Sequence, residues 1–178
     1  IMEFISTVNQ ILLVLTVVGQ IIVVVLTVLF LKKQKAILNF FAKHALVFSF
    51  AVALVATLSS LFYSEIAGYE ACKLCWFQRV LMYPQVLLLG MALLRKDNGI
   101  VTYSIALSVL GALIAGYHYL LQLGLAPSIG CSAVGYSISC AQRFILGLGY
   151  ITIPVMSLTA FLLIISFMLA LKPTLWIK

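Results

Sequence analysis

Charge is scarce in this sequence. Only 8% of its 178 residues are charged, and just four of them are acidic against eleven basic. A soluble domain carries about 25% charge and about 45–50% apolar residues. Here 65% are hydrophobic, with a mean hydropathy of +1.23. Disorder is excluded as well, since it needs low hydrophobicity and high net charge. The chain has no internal repeat, low-complexity tract or soluble linker. It also lacks the ~10-residue alternating segments of a membrane β-barrel. A net charge of +7 in a soluble protein would raise the question of nucleic acid. Here no nucleic acid partner is expected, and the charges mark topology instead.

What is present is a series of five apolar runs: Phe4 to Leu31, His44 to Ser64, about Leu74 to Leu94 (interrupted by Arg79), about Ile100 to Leu125, and Phe144 to Leu171. Crossing a ~30 Å hydrocarbon core takes roughly 20 apolar residues in a helix. In lipid, a helix satisfies its own backbone polar groups. The expected fold is therefore an all-α membrane protein. The first run lacks a basic leading stretch and exceeds the ~7–15-residue core of a signal peptide, so it is expected to be a retained helix.

Basic residues concentrate on the cytoplasmic side of membrane proteins. Lys32, Lys33, Lys35 and Lys43 follow the first run, Arg95 and Lys96 the third, and Lys172 and Lys178 the fifth. With five spans these eight fall on one side, which predicts an outer N-terminus and a cytoplasmic C-terminus. The opposite side holds Lys73, Arg79 and Arg143 with Glu3, Glu65 and Glu70. Helices in lipid associate through small residues. Ala45, Ser49, Ala53, Ala56 and Ser60 form such a stripe in the second run, and Ser108, Gly111, Ala112, Ala115 and Gly116 in the fourth. The first run has none. The division expected is a lipid-facing extra helix over 1–35 and a four-helix bundle over 36–178.

All four cysteines fall on the outer side or at its membrane edge: Cys72 and Cys75, then Cys131 and Cys140. Outside a bacterial cytoplasmic membrane, disulfides persist. Cys-x-x-Cys is a redox or metal spacing. As a staple it closes too small a ring to constrain the unfolded chain much. A helix N-terminus lowers a thiol pKa, and Arg79 lies one turn beyond Cys75, where a cation favours a thiolate. Other readings stay open at this point. Zinc could use four cysteines, although the second pair is spaced too widely for the common motif. Covalent haem needs a His where Trp76 stands. Two inert disulfides would also fit, and Arg79 could simply snorkel to the headgroups. Trp76, Phe77, Tyr63 and Tyr69 read as an outer aromatic belt. His118 points into the bundle, as a functional group or as a buried histidine bonded to a neighbouring helix. Pro84 and Pro154 are expected to kink the third and fifth helices.

The stretch Cys72-Lys-Leu-Cys75-Trp76-Phe77-Gln78-Arg79 resembles the Cys-x-x-Cys-x-x-x-Arg signature of the DsbB/BdbC family of quinone-dependent disulfide bond formation proteins. Val80-Leu81-Met82-Tyr83-Pro84 is similar to the BdbC branch. Tyr117-His118-Tyr119, Cys140-Ala141-Gln142-Arg143 and Ile153-Pro154 also fit. The order of the pairs differs from the vitamin K epoxide reductase type, in which the loop pair comes first. The resemblance covers about Lys43 to Leu171, so the first helix is extra. It implies a thiol:quinone oxidoreductase in a bacterial inner membrane with catalytic Cys72, Cys75, Cys131 and Cys140. An extracytoplasmic thioredoxin-fold dithiol oxidase of the DsbA/BdbD kind would reduce Cys131–Cys140. Cys140 would then exchange with Cys72, releasing Cys75 beside a menaquinone or ubiquinone that leaves as quinol. By the same resemblance Cys75, Arg79 and His118 would hold the quinone, and no metal is implied. The alternatives are a vitamin K epoxide reductase-type quinone reductase and a non-enzymatic membrane protein with two structural disulfides.

Overall fold

The computed structural model describes residues 2–97, 99–127 and 140–176. Its helices are α1 (Met2–Leu31), α2 (Lys35–Leu61), α3 (Lys73–Arg95), α4 (Ile100–Gln122) and α5 (Ile153–Trp176), and α2 runs on into a π-helical turn at Phe62–Ile66. All five are long and apolar enough to cross a membrane. The protein is an all-α, multi-pass membrane protein. Cys131 and Lys178 lie outside the described residues.

Helices α2, α3, α4 and α5 pack in a closed ring, each against the next, and α1 lies outside it along α5 and the edge of α2. The small-residue stripes explain how closely the helices approach. Ala45, Ser49 and Ala53 are buried on α2, and Ser108, Gly111 and Ala115 on α4. A Cβ at Gly111 would stand 2.3 Å from the Phe161 ring of α5, so any side chain there would push α4 away. Polar contacts join α3 to α4 as well: Ser104 and Ser108 both donate to Oε1 of the fully buried Gln85. Such bonds hold helices together where lipid offers no alternative partner.

Three expectations change. The fifth helix begins at Ile153, not near Phe144. Residues 144–152 are apolar, but Leu148 and Gly149 take positive φ values of 50° and 79°, and Gly147 pairs with Ile151 in a tight turn. Consecutive left-handed residues cannot continue a right-handed helix. Pro154 accordingly opens α5 rather than kinking it, since its fixed φ and missing N–H suit a first turn. Helix α1 also has a packing stripe after all. Thr16, Gly19, Leu26 and Leu29 are buried at helical spacing, and a Cβ on Gly19 would meet Leu163 at 3.0 Å.

Candidate active site

Cys72 is the N-cap of α3, with extended backbone at ψ 170°, and its carbonyl accepts the first helical bond from Trp76 N–H at 3.1 Å. Cys75 sits one turn inside. Both are free thiols, and their Sγ atoms are 3.1 Å apart. A disulfide bond is about 2.05 Å, so this pair is about 1 Å from closure. Cys72 is buried and packs with Cys140 and Leu121, with Cys75 and Tyr117 against them. Cys140 is disulfide-bonded.

His118 stands between the two cysteine sites. Its Nε2 is 3.0 Å from the Cys140 carbonyl and 3.7 Å from Sγ of Cys72. The Gln78 side-chain amide donates to Nδ1 at 3.1 Å, which leaves the ring proton on Nε2. That proton can be donated to the Cys140 carbonyl or to a Cys72 thiolate. The Cys72 thiol pKa is pushed down from 9.0 to about 4. The Cys75 thiol, donating to the Cys72 thiolate, is the largest cause; burial opposes it, and the His118 ring adds to the lowering. The helix N-terminus favours the same charge state. Sγ of Cys72, Sγ of Cys75 and a ring nitrogen of His118 lie within 4.8 Å of one another, close enough to share a metal ion too.

The segment after Cys140 is tied to the end of α4. Arg143 donates through Nε (3.1 Å) and Nη2 to the Gln122 carbonyl, and the Gln122 side chain donates to the Gln142 carbonyl at 3.1 Å. A cation on the last carbonyls of a helix also complements its dipole. Tyr117 adds a bond from its hydroxyl to the Pro127 carbonyl at 2.6 Å. Between these elements lies a small cavity of about 20 Å³ lined by Cys72, Cys75, His118, Gln122, Cys140 and Thr152.

A much larger cavity of about 360 Å³ opens on the other side of Cys75. Arg79, Ser60, Tyr63, Tyr69 and Gln78 line its rim, and Val52, Met156, Ala160 and Leu163 its depth. The Arg79 guanidinium is fixed by Ser60, whose hydroxyl accepts from Nε at 2.9 Å and whose carbonyl accepts from Nη2 at 3.1 Å; Trp76 lies beneath it at 5.4 Å. Tyr83 donates to the same Ser60 hydroxyl at 3.2 Å. The π-helical turn begins just beyond Ser60, and such turns often sit at functional sites.

The aromatic reading divides here. Trp76 and Phe77 are exposed as a belt requires, whereas Tyr63 is buried and stacks on Tyr69, which stacks on Phe144 at 4.9 Å. These three rings cover the rim of the large cavity. Of the residues singled out in the sequence, Cys72, Cys75, Cys140 and His118 come together around the small cavity, while Arg79 and Cys75 share the large one. His118 does not line the large cavity. Gln78 and Ser60 escaped the sequence reading. Ser60 looked like one more small packing residue, and only the i, i+4 relation of Gln78 to Leu74 and Met82 on the buried face of α3 could have marked it.

Comparison with known proteins gives a consistent picture. The family model "Disulfide bond formation protein DsbB" matches residues 42–171. Disulfide bond formation protein C of Bacillus subtilis (strain 168) is 41% identical over 138 residues, covering 73% of this chain and 96% of that protein. SPbeta prophage-derived disulfide bond formation protein B of the same strain is 40% identical over 124 residues, covering 70% and 82%. A probable disulfide formation protein of Coxiella burnetii (strain Dugway 5J108-111) is 41% identical over 128 residues, covering 71% and 85%. No solved structure matches significantly.

Proposed function

Because this chain belongs to the DsbB family of disulfide bond formation proteins, we propose that it is a thiol:quinone oxidoreductase. In this reading it regenerates the disulfide of an extracytoplasmic thioredoxin-fold dithiol oxidase. One observation carries the reading: Cys75 is the only cysteine among the described residues that lines both cavities. It therefore faces the sulfur cluster on one side and an apolar chamber on the other.

The sulfur steps follow from thiolate chemistry. A partner thiolate attacks the loop disulfide, and the freed Cys140 attacks Sγ of Cys72 in the Cys72–Cys75 disulfide. Cys75 leaves as the thiolate. The partner's second thiolate then attacks the partner–Cys131 bond, which completes the partner disulfide and frees Cys131. Cys131 attacks Cys140, the loop disulfide re-forms, and Cys72 is released as a thiolate beside Cys75. Over one cycle two partner thiols become a disulfide, releasing two electrons and two protons. His118 holds the Cys140 backbone against Cys72 and donates to the thiolate there, and Gln78 keeps the proton on the nitrogen that faces sulfur.

The large cavity suits a quinone. Small-molecule sites run to about 300–1,000 Å³, mostly apolar with a few placed polar groups, and this one holds about 360 Å³. Its rim carries the Arg79 guanidinium, and the Tyr63 hydroxyl there is buried without a hydrogen-bond partner. A carbonyl oxygen would accept from Arg79, and the Tyr63 hydroxyl, sealed off from the chamber in this structure, would turn to the same oxygen as the ring binds. A quinone bound there would supply the two-electron, two-proton acceptor and leave as quinol. Arg79 and Tyr63 would orient it, and the Tyr63–Tyr69–Phe144 stack would exclude water. That Cys75, and not Cys140, shares this cavity with Arg79 favours thiol oxidation over the vitamin K epoxide reductase type.

The orientation fits the same scheme. Lys32, Lys33, Arg95 and Lys96 lie at the helix ends opposite Cys72, so the positive-inside rule puts the cysteines outside a bacterial cytoplasmic membrane. The test is reconstitution with a reduced thioredoxin-fold partner and a soluble quinone, following quinone absorbance. Turnover is expected with the native chain and none with Cys75→Ser. Sustained turnover in that variant, or cytosolic labelling of Cys72, would defeat the proposal.

A further inference from the structure

The helix outside the family match has a part in the large cavity. The family model begins at residue 42, after α1 has ended at Leu31. Yet Leu12, Leu15, Thr16, Gly19 and Ile22 of α1 line the cavity whose rim holds Cys75 and Arg79. The opposite wall is α2 and α5, and the space runs from that rim to the level of Ile22 and Leu163. Three turns of α1 separate Leu12 from Ile22, so the chamber extends about 15 Å along the helix.

Helix α1 is fastened in this position. Gly19 lets it approach Leu163 and Thr159 of α5 closely, and Leu13 packs on Gly147. The Tyr150 hydroxyl donates to Oε1 of Gln20 at 2.8 Å, and the Gln20 amide reaches Thr159 at 3.5 Å. Against α2 the contact is at the ends. The chain turns directly from one helix into the other through Lys32–Gln34, and Phe4 meets Phe62 edge-on at 5.8 Å. Midway, Leu15, Val18 and Val55 line the cavity yet remain 44–48% exposed. The chamber therefore has a side window onto lipid between α1 and α2.

We infer that α1 is a wall of the quinone site, and that the α1–α2–α5 chamber takes the isoprenoid tail of a quinone whose ring lies at Cys75 and Arg79. This rests on the proposed quinone reading and adds a tail requirement to it. The chemistry of the walls selects the occupant: a branched hydrocarbon chain continuous with a polar ring at the rim, entering sideways from the bilayer. The rim alone would accept a bare ring. The chamber adds affinity only for a tailed one, at roughly fourfold per buried methylene.

The experiment uses the full chain in lipid nanodiscs with two probes of identical naphthoquinone ring, one tailless and one carrying a polyisoprenoid tail with a diazirine in its first units. Binding is measured at equilibrium, and the photolabel is mapped by peptide. The label is expected on residues 12–22 of α1 and on α5. Thr16→Trp, which fills the chamber, is expected to weaken the tailed probe about tenfold or more and the tailless probe less than twofold. Val14→Trp, on the lipid side at 58% exposure, is expected to change neither. A label absent from α1, or equal losses of both probes in Thr16→Trp, overturns the inference. If Thr16→Trp fails to fold, the label map on the native chain decides. Binding of neither probe to the native chain overturns the quinone reading itself, whereas binding of both without an α1 label overturns only the role of α1.

Discussion

The two cavities beside Cys75 differ in size and in the groups they hold. The smaller sets the His118 imidazole, the Gln122 amide, the Thr152 hydroxyl and the sulfurs of Cys72 and Cys140 against the apolar side chains of Phe144, Ile145, Ile153 and Pro154. The larger is hydrocarbon along most of its length, with Thr16 and Thr159 in its walls, and holds a cation at the rim, where Ser60 fixes Arg79. Thiol–disulfide exchange needs thiolates, and therefore hydrogen-bond donors around sulfur. A lipid-soluble carrier needs a dry chamber open to the bilayer. The chain keeps these environments distinct, and among the described residues Cys75 is the one sulfur that reaches both, with Phe144 and Ile153 in the wall between them. That separation is the substance of the proposed function, and each variant below acts on one compartment or on the junction.

The junction gives the largest effect. Cys75→Ser leaves both compartments in place but removes the sulfur they share, so quinone-coupled turnover is expected to vanish while partner thiols still reduce the loop disulfide. Gel-shift alkylation of Cys140 after addition of reduced partner, run beside the quinone assay, separates the two results. Loss of both would mean that the compartments are not independent.

Arg79→Ala comes next and belongs to the large cavity alone. A hydrogen bond to a charged group is worth about 1.5–3 kcal/mol, so the quinone KM is expected to rise roughly 10- to 100-fold. The rate of exchange between partner and loop should stay within about twofold. A fall in that exchange rate would show that Arg79 acts on the sulfur side through Cys75.

The small cavity is tested by pH. With its thiol pKa held near 4 instead of 9.0, Cys72 is expected to carry a thiolate in the reduced protein throughout neutral pH. Thiolate ultraviolet absorbance should persist as pH falls and disappear only around pH 4. A depressed folded-state pKa stabilises the reduced fold fully above the unfolded value, and that stabilisation is lost as pH falls through the folded value. Cys75→Ala removes the largest cause and should move the transition up toward 9; His118→Ala should move it up by less. A larger effect from His118 than from Cys75 would reassign the source of the thiolate.

How much of this was legible in the sequence depended on the kind of signal. Spans were legible because length and charge suffice to define them. The Cys75–Arg79 relation was legible because i, i+4 residues share a helix face whatever surrounds them. The start of α5 was not, because Phe144–Thr152 is as apolar as a helix, yet the chain there is irregular and closes a turn between Gly147 and Ile151 through the left-handed Leu148 and Gly149. His118 could be placed inside the bundle but not on a side of Cys75, since that depends on how α3 and α4 cross. The contribution of α1 was hidden because its stripe mixes Thr16 and Gly19 with Leu26 and Leu29, and it becomes visible only when Leu163 packs against it.

The smallest effect sharpens the comparison most, because its two parts have opposite signs. The Tyr63 hydroxyl is buried at the rim of the dry chamber with no partner. An unsatisfied buried polar group costs about 1–3 kcal/mol. Tyr63→Phe removes that group and keeps the ring that stacks on Tyr69 at 5.8 Å. Without quinone, the variant is therefore expected to be as stable as the native chain or to melt slightly higher. With quinone, it should bind the ring about two- to tenfold more weakly, the worth of one neutral hydrogen bond of about 0.5–1.5 kcal/mol. Thermal unfolding in nanodiscs with and without a tailless quinone measures both quantities on one sample. A variant less stable in both conditions would mean that the hydroxyl serves the fold, and the dry chamber would then lose one of its two proposed contacts to the ring.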